Sequence, residues 1–384
     1  MGGNALSVPG IRLLANDYAT LDESIRFLIS RVMPESRVVV IPSYFDKPDF
    51  GDIDVLVSVP EGATVDYRAI ADVLFVRIEP YPENRQDEAR KTVEIVRNGE
   101  VTSFGMPLVA GTFQVDLIES SEQSFDFALR YFAFNDLGNL LGRIAHKAGF
   151  KLGQYGLIYP LRDKTGNLIE EIMVTRDWSH ALEFLGYDPV QYEQGFNGGF
   201  KKLTDIFWFA LESRYCNRNI YLLENRNATS RVRDRKRPTY SKFLSWLESL
   251  PRNAMPEFDW SDKAQARMDF LGWAFDAFPD FSARYKDAVE LKREKQLFSE
   301  KFNGEIVGQI TGLSGKNLGL LITAIRRSFL TEAHFRRWVL ASSDEEVRNM
   351  IEKSKGVFSN APTIPTVPTI PTVPTILTIR RSND

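Results

Sequence analysis

The stretch Phe50-Gly51-Asp52-Ile53-Asp54-Val55-Leu56-Val57 constrains the fold more than any other part of the chain. Apolar and acidic residues alternate there with the period of two that a β-strand imposes. Ile53, Val55, Val57 and Val59 are therefore predicted to face a core, while Asp52 and Asp54 share the opposite face. Two carboxylates at that spacing stand about 6–7 Å apart at their α-carbons. That is close enough for both to hold one divalent cation, or for one of them to bridge two, and their repulsion is costly without a cation to offset it. Gly51 permits backbone or phosphate to come close. A third carboxylate, Asp116, interrupts another short apolar strand, Phe113-Gln114-Val115-Asp116-Leu117-Ile118. Upstream, the buried-type strand Arg37-Val38-Val39-Val40-Ile41 runs into Pro42-Ser43. An isolated Asp-x-Asp is commonly a solvated sheet edge; the Ser turn, the glycine and the third acid together favour a metal site.

The chain has one cysteine, Cys216, and three dispersed histidines, His146, His180 and His334. That excludes a disulfide framework within one chain and a Cys- or His-built zinc site, so the expected metal is carboxylate-bound magnesium or manganese. No apolar run of about 18 residues exists, so no membrane partner is expected. The first residues lack the pattern of a signal peptide, and Leu6 stands where a myristoylation motif needs a hydroxyl; a cytoplasmic location is the expectation. The net charge of −3 hides a split. Residues 1–195 carry 18 Lys/Arg against 29 Asp/Glu, and residues 196–384 carry 30 against 22. Such a split suits an acidic half that holds cations and a basic half that holds a polyanion, although two soluble domains can differ this much by chance.

Along the chain, Asn16 is the expected cap of a helix whose buried face carries Tyr18, Leu21, Ile25, Leu28, Ile29 and Val32. Tyr67 to Phe75 reads as a second helix. Asn98-Gly99 is a hairpin signal between strands Thr92–Val96 and Val101–Phe104. Phe125 to Phe150 is predicted helical in two pieces, the second with a buried stripe through Leu137, Leu140, Leu141, Ile144, Ala145 and Ala148. Asn139, Arg143 and His146/Lys147 form its polar row, and Gly149 ends it. A hairpin around Lys164–Asn167 and a short helix through Trp178, Leu182 and Leu185 follow. Gly195-Phe196-Asn197-Gly198-Gly199 reads as a hinge or linker. Beyond it, helices are expected over 201–215, 240–250, 264–278, 284–302, 317–329 and 344–353, then a Pro/Thr-rich tail with proline at every third place.

The order strand, Ser turn, Gly-Asp-x-Asp strand and later x-Asp-x strand is the pattern of nucleotidyl transfer, in which a triphosphate and metal ions are held in line with a hydroxyl. These residues resemble the nucleotidyltransferase superfamily named after DNA polymerase β, and within it the palm and thumb of family X DNA polymerases. The resemblance covers roughly Arg12 to Pro189. Besides the Asp52/Asp54 strand, it rests on Phe127-Ala128-Leu129-Arg130-Tyr131-Phe132, on Asn139, Arg143 and Lys147-Ala148-Gly149-Phe150, and on Phe184 to Pro189. It implies an α+β fold: a palm over 1–122 (mixed sheet with flanking helices) and a small thumb-like domain over 123–195. A mostly α-helical basic domain over 196–358 and a tail over 359–384 complete the expected order. It also implies that Asp52, Asp54 and Asp116 are metal ligands and catalytic groups. Ser43, Gly51, Arg12 and Lys47 would surround the triphosphate, and Tyr131 and Phe132 the sugar. Asn139 would face the minor-groove edge of the incoming base, Arg143 the template strand, and Lys147 the nucleic acid. Three departures stand out: Pro42 replaces a glycine, Gln114 an arginine, and Ala133-Phe134-Asn135 a small Thr-Gly-Ser. The lyase module of repair polymerases is not expected ahead of Arg12.

The second half is only faintly similar to the helical tail of CCA-adding tRNA nucleotidyltransferases, over Asn303–Gly319 and Phe329. The same stretch misses a Walker A loop, because Asn317 follows Lys316 where that motif needs Ser or Thr. Its densest basic run, Arg231, Arg233, Arg235, Lys236 and Arg237, is either a nucleic-acid contact or a solvated surface. The expected function is metal-dependent transfer of a nucleotide from a nucleoside triphosphate to a nucleic-acid 3′-hydroxyl, DNA or RNA. Untemplated CCA-type or terminal addition is the alternative. A catalytically idle nucleic-acid-binding protein, or transfer to protein or a small molecule, fits the acidic triad and basic half less well. The oligomeric state is not legible.

Overall fold

Alternating apolar residues build one mixed sheet, and that sheet carries the acidic cluster. The computed structural model describes residues 5–76 and 93–359. Thr92 and the expected Pro/Thr-rich tail from residue 360 lie outside the described residues. The first elements are β1 (Leu13–Leu14), α1 (Ala15–Val32), β2 (Val38–Val40), β3 (Asp49–Phe50), β4 (Asp52–Val59), α2 (Tyr67–Val76), β5 (Ile95–Asn98), β6 (Val101–Leu108) and β7 (Gly111–Ser121). The five-stranded sheet has the order β2-β4-β7-β6-β5; β4 and β7 run parallel and the other pairs antiparallel. On one face, Ile53, Val55 and Val57 join Phe104, Phe113, Val115 and Leu117 beneath Ile25 and Ile29 of α1 and Ile70 and Leu74 of α2. Each such buried side chain contributes about 1.5–3 kcal/mol. The other face buries Leu56 and Ile118 and carries half-buried Asp52 and Asp54 and buried Asp116 at its other end.

Helix α1 does not use the expected cap. It starts at Ala15 with Leu14 at the cap position and no side-chain cap. Antiparallel pairing of Leu13 with Phe50 and Leu14 with Asp49 fixes its entry instead.

Next come α3 (Phe125–Phe132), α4 (Leu137–Ala148), β8 (Lys151–Gly153), β9 (Gly156–Arg162), β10 (Leu168–Thr175), α5 (Trp178–Phe184) and α6 (Pro189–Gln194). The three strands form a small antiparallel sheet. Between α3 and α4, Phe134 and Asn135 take left-handed backbone angles, φ 61° and 64°. Such strain persists only where packing over-determines it. Here the Phe134 N–H donates to the Pro42 carbonyl at 2.8 Å, and its ring is buried against Phe196 and Phe200. Gly138 allows the two helices to meet, since a Cβ there would lie 2.1 Å from the Tyr131 carbonyl oxygen.

The stretch 195–199 lies within one compact unit and is buried at Gly195, so it does not link two units. A Cβ on Gly195 would lie 2.3 Å from the Phe200 ring, so that glycine serves close approach rather than freedom. Backbone hydrogen bonds from Phe45 N–H to the Phe200 carbonyl and from Asp46 N–H to the Lys201 carbonyl tie the segment to the loop after β2. Helices α7 (Leu203–Leu211), α8 (Ala228–Arg235), α9 (Pro238–Ser249) and α10 (Lys263–Ala277) follow. α4 touches α7, α10 and the turn Arg218–Ile220, which covers it on a second side.

The chain divides into two compact units, Met1–Ala283 and Arg284–Asp384. The second is helical, with α11 (Pro279–Lys301) from Arg284 onward, α12 (Gly304–Thr311), α13 (Gly315–Arg327), α14 (Glu332–Ala341) and α15 (Asp344–Ser359). Its core is Phe302, Val307, Leu321, Ile325, Phe335, Val339 and Ile351. Among the described residues, no helix is long and apolar enough to cross a membrane.

Candidate active site

Parallel pairing sets Asp54 directly beside Asp116, and Asp52 beside Gln114. Carboxylate oxygens of Asp52, Asp54 and Asp116 all lie within 4.8 Å of one another. The side-chain amide of Gln114, itself buried, donates to both oxygens of Asp116 at 2.9 Å, and its carbonyl accepts from the Ala5 N–H. Burial pushes the Asp54 carboxyl up to about 7, helped by the nearby charges of Asp52 and Asp116. Asp116 is also raised by burial, while its hydrogen bonds to Ser103 and Gln114 act the other way. Three converging carboxylates are hard oxygen donors, and their mutual repulsion falls when a divalent cation is bound. The residues present therefore fit magnesium or manganese.

Two cavities in the first unit share Ile41, Asp52, Asp54, Phe132, Asn135 and Asp136. The first, about 310 Å³, also has Arg12, Ser43, Lys47 and Gly51 on its wall, together with Thr239 and Lys242 of α9. The second, about 220 Å³, contains Asp116, Tyr131, Asn139 and Arg237. The triad thus stands where the two cavities meet.

Within the first cavity, Arg12 is ion-paired with Asp49. The Lys47 ammonium lies 4.3 Å from the Phe50 ring centroid. Burial lowers its pKa, against the attraction of Asp52 and Asp54. The Ser43 hydroxyl donates to Asn135 Oδ1 at 2.9 Å. Phe50 stacks on Tyr18, with ring centroids 3.7 Å apart. Burial, with Asp54 next in weight, raises the Tyr18 phenol strongly. Helical spacing assigns Tyr18 to a core face, and nothing in that pattern marks it as a site residue. Lys242 is equally silent, whereas Gln114 and Asn135 enter the sequence reading only as departures from the family pattern. Gln114's place two residues before Asp116 on one strand face also points to it.

The polar row of α4 is not an open face. Asn139 reaches the second cavity, where its Nδ2 is buried without a partner. Arg143, expected to face a template strand, is 6% exposed, and its Nε donates to the Ile220 carbonyl at 3.3 Å. Burial, with Arg226 next, lowers its pKa to about 10. Lys147 is half-buried, and its carbonyl accepts from Arg267. The reason is the second layer of helices, which periodicity within α4 alone cannot reveal.

The basic run is likewise not a continuous charged surface. Arg237 pairs with Asp136 at 2.7 Å and Arg233 with Asp234 at 3.1 Å, and Arg231 donates to the Arg226 carbonyl at 3.0 Å. Arg235 and Lys236 stay exposed. None of Arg143, Lys147, Arg231, Arg233, Arg235 and Lys236 lines either cavity.

No protein-family model and no curated protein matches this sequence. Among solved structures, the chain is similar to Leishmania infantum polymerase beta in a ternary P/T complex, at 15% identity and a TM-score of 0.30. That match covers 41% of this chain and 61% of the other. The ternary gap complex of the same protein is similar at 14% identity and a TM-score of 0.30, over 40% of this chain and 53% of the other. The chain thus spans less than two thirds of either.

Proposed function

We propose that this protein is a divalent-metal-dependent nucleotidyltransferase that adds nucleotides to a nucleic-acid 3′-hydroxyl without a template. The observation that carries transfer chemistry is the convergence of Asp52, Asp54 and Asp116 at the junction of two cavities. Asp52, Asp54 and Asp116 would hold magnesium or manganese, which when bound supplies charge stabilisation at the transferring phosphoryl group and a lower pKa for the attacking hydroxyl. Ser43, Arg12 and Lys47 bind the triphosphate in the first cavity. The acceptor hydroxyl enters the second cavity and attacks the α-phosphorus, the bond to the bridging oxygen breaks, and pyrophosphate leaves. Asp116, the triad member confined to the second cavity, takes the hydroxyl proton at its carboxylate. Gln114 holds that carboxylate in place through both of its oxygens.

Burial of Arg143 against the turn at Ile220 favours the untemplated reading, because the templated one needs that guanidinium on an open face. Extension of labelled DNA and RNA oligonucleotides, with and without template, tests this. Untemplated addition that is unchanged by template supports it; synthesis that requires a template returns the protein to the templated class.

A further inference from the structure

Several elements besides the strand that carries Asp52 and Asp54 line the first cavity. One of them is α9, which offers Lys242 together with Thr239 and Pro238, three and four residues before it. Its opposite face, Tyr240, Phe243 and Leu247, is fully buried. The helix is held firmly. Tyr240 donates to the Tyr221 carbonyl at 2.6 Å and accepts from Arg226 at 2.8 Å, and Arg226 is ion-paired with Asp234 where both are buried. Arg237 anchors the helix start to Asp136.

Three cations line this cavity: Arg12, Lys47 and Lys242. Arg12 is matched by Asp49, and Lys47 is partly buried over Phe50 and near Asp52 and Asp54. Lys242 is exposed and, among the described residues, has neither ion pair nor hydrogen bond. It stands beside the first turn of a twelve-residue helix whose positive end faces the same space. An anion reaching across from the triad would meet that ammonium.

Resting on the transferase reading above, we infer that Lys242 binds the terminal phosphates of the nucleoside triphosphate. It is a substrate-binding residue contributed by the helical region and not by the sheet. Its charge distinguishes a triphosphate from a monophosphate, because only the longer tail spans the cavity to α9.

Equilibrium titration tests this without turnover. The α,β-methylene analogues of ATP, GTP, CTP and UTP, and the matching monophosphates, are titrated one at a time with magnesium into wild type, Lys242→Ala and Lys242→Arg. Loss of one charge-assisted contact should weaken the best triphosphate analogue about tenfold or more in Lys242→Ala. Lys242→Arg should recover most of that loss, and monophosphate affinity should hardly change. Because Lys242 is exposed, both variants should keep the wild-type circular dichroism spectrum. Equal triphosphate binding by wild type and Lys242→Ala overturns the inference and leaves the transferase reading standing. So does an equal loss for mono- and triphosphates. Wild type that binds no analogue overturns both.

Discussion

Arg237 Nη1 lies 2.7 Å from Asp136 Oδ1, joining the start of α9 to the start of α4 across 101 residues of sequence. Asp136 lines both cavities and Arg237 the second, so this ion pair is part of the wall around the triad. Arg237→Ala removes a partly buried charge-assisted bond and should cost about 1–3 kcal/mol in denaturant unfolding. It should also lower kcat/KM, since α9 loses its tether. A variant with wild-type stability and activity would show the pair to be incidental.

The Arg226–Asp234 pair is a different case, because both side chains are almost fully buried, at 1% and 0% exposure. Arg226→Ala leaves the buried Asp234 only the largely exposed Arg233 as a partner, and should destabilise the first unit by up to about 3 kcal/mol. Replacing both partners, Arg226→Met with Asp234→Leu, should recover much of that loss, as apolar isosteres avoid the desolvation cost. Unfolding midpoints of the two variants decide it; a double variant no better than Arg226→Ala would contradict the argument.

Gly138→Ala is expected to cost about 1–3 kcal/mol through overpacking. The added methyl meets a backbone oxygen, Tyr131 O, which cannot rotate away. The corner that fixes Phe134 and Asn135 must then open, and near-UV circular dichroism should report the loss of aromatic packing. An unchanged melting temperature would mean that the corner yields freely.

Much of this site was legible in the sequence because strand alternation is a local property. Ile53, Val55 and Val57 face the core and Asp52 and Asp54 the other way, as period two requires. The meeting of Asp54 with Asp116 needed only that the two strands pair. What was not legible depends on distant residues. Arg143 belongs to a polar row by spacing, but is buried by the turn at Ile220, 77 residues on. Lys242 and Arg237 reach the cavities only because α9 is anchored by Tyr221 and Arg226. The glycines of 195–199 look like a linker in sequence, yet Gly195 exists to admit the Phe200 ring.

Without divalent ions, stability should depend on pH through Asp54. Its carboxyl titrates near about 7 in the folded chain against 3.8 for the free group. The folded state therefore holds the proton more tightly, and that contribution is fully present below the unfolded value and is lost as pH rises through the folded one. In chelator, the melting temperature should fall between about pH 4 and pH 7, and Asp54→Asn should flatten the fall. Magnesium or manganese should raise the melting temperature most at the alkaline end. A chelated protein that gains stability across this window would contradict the clustered-carboxylate account.

The central claim is that Asp52, Asp54 and Asp116 perform metal-dependent nucleotidyl transfer. It is tested most directly by following transfer of an α-phosphate label from nucleoside triphosphates to a 3′-hydroxyl oligonucleotide, in wild type, Asp54→Asn and Asp116→Asn. The account predicts magnesium- or manganese-dependent labelling by wild type and a loss of several orders of magnitude in each variant, with the fold retained, because a neutral amide is a poor metal ligand. Undiminished labelling by either folded variant, or labelling that persists in chelator, would contradict it.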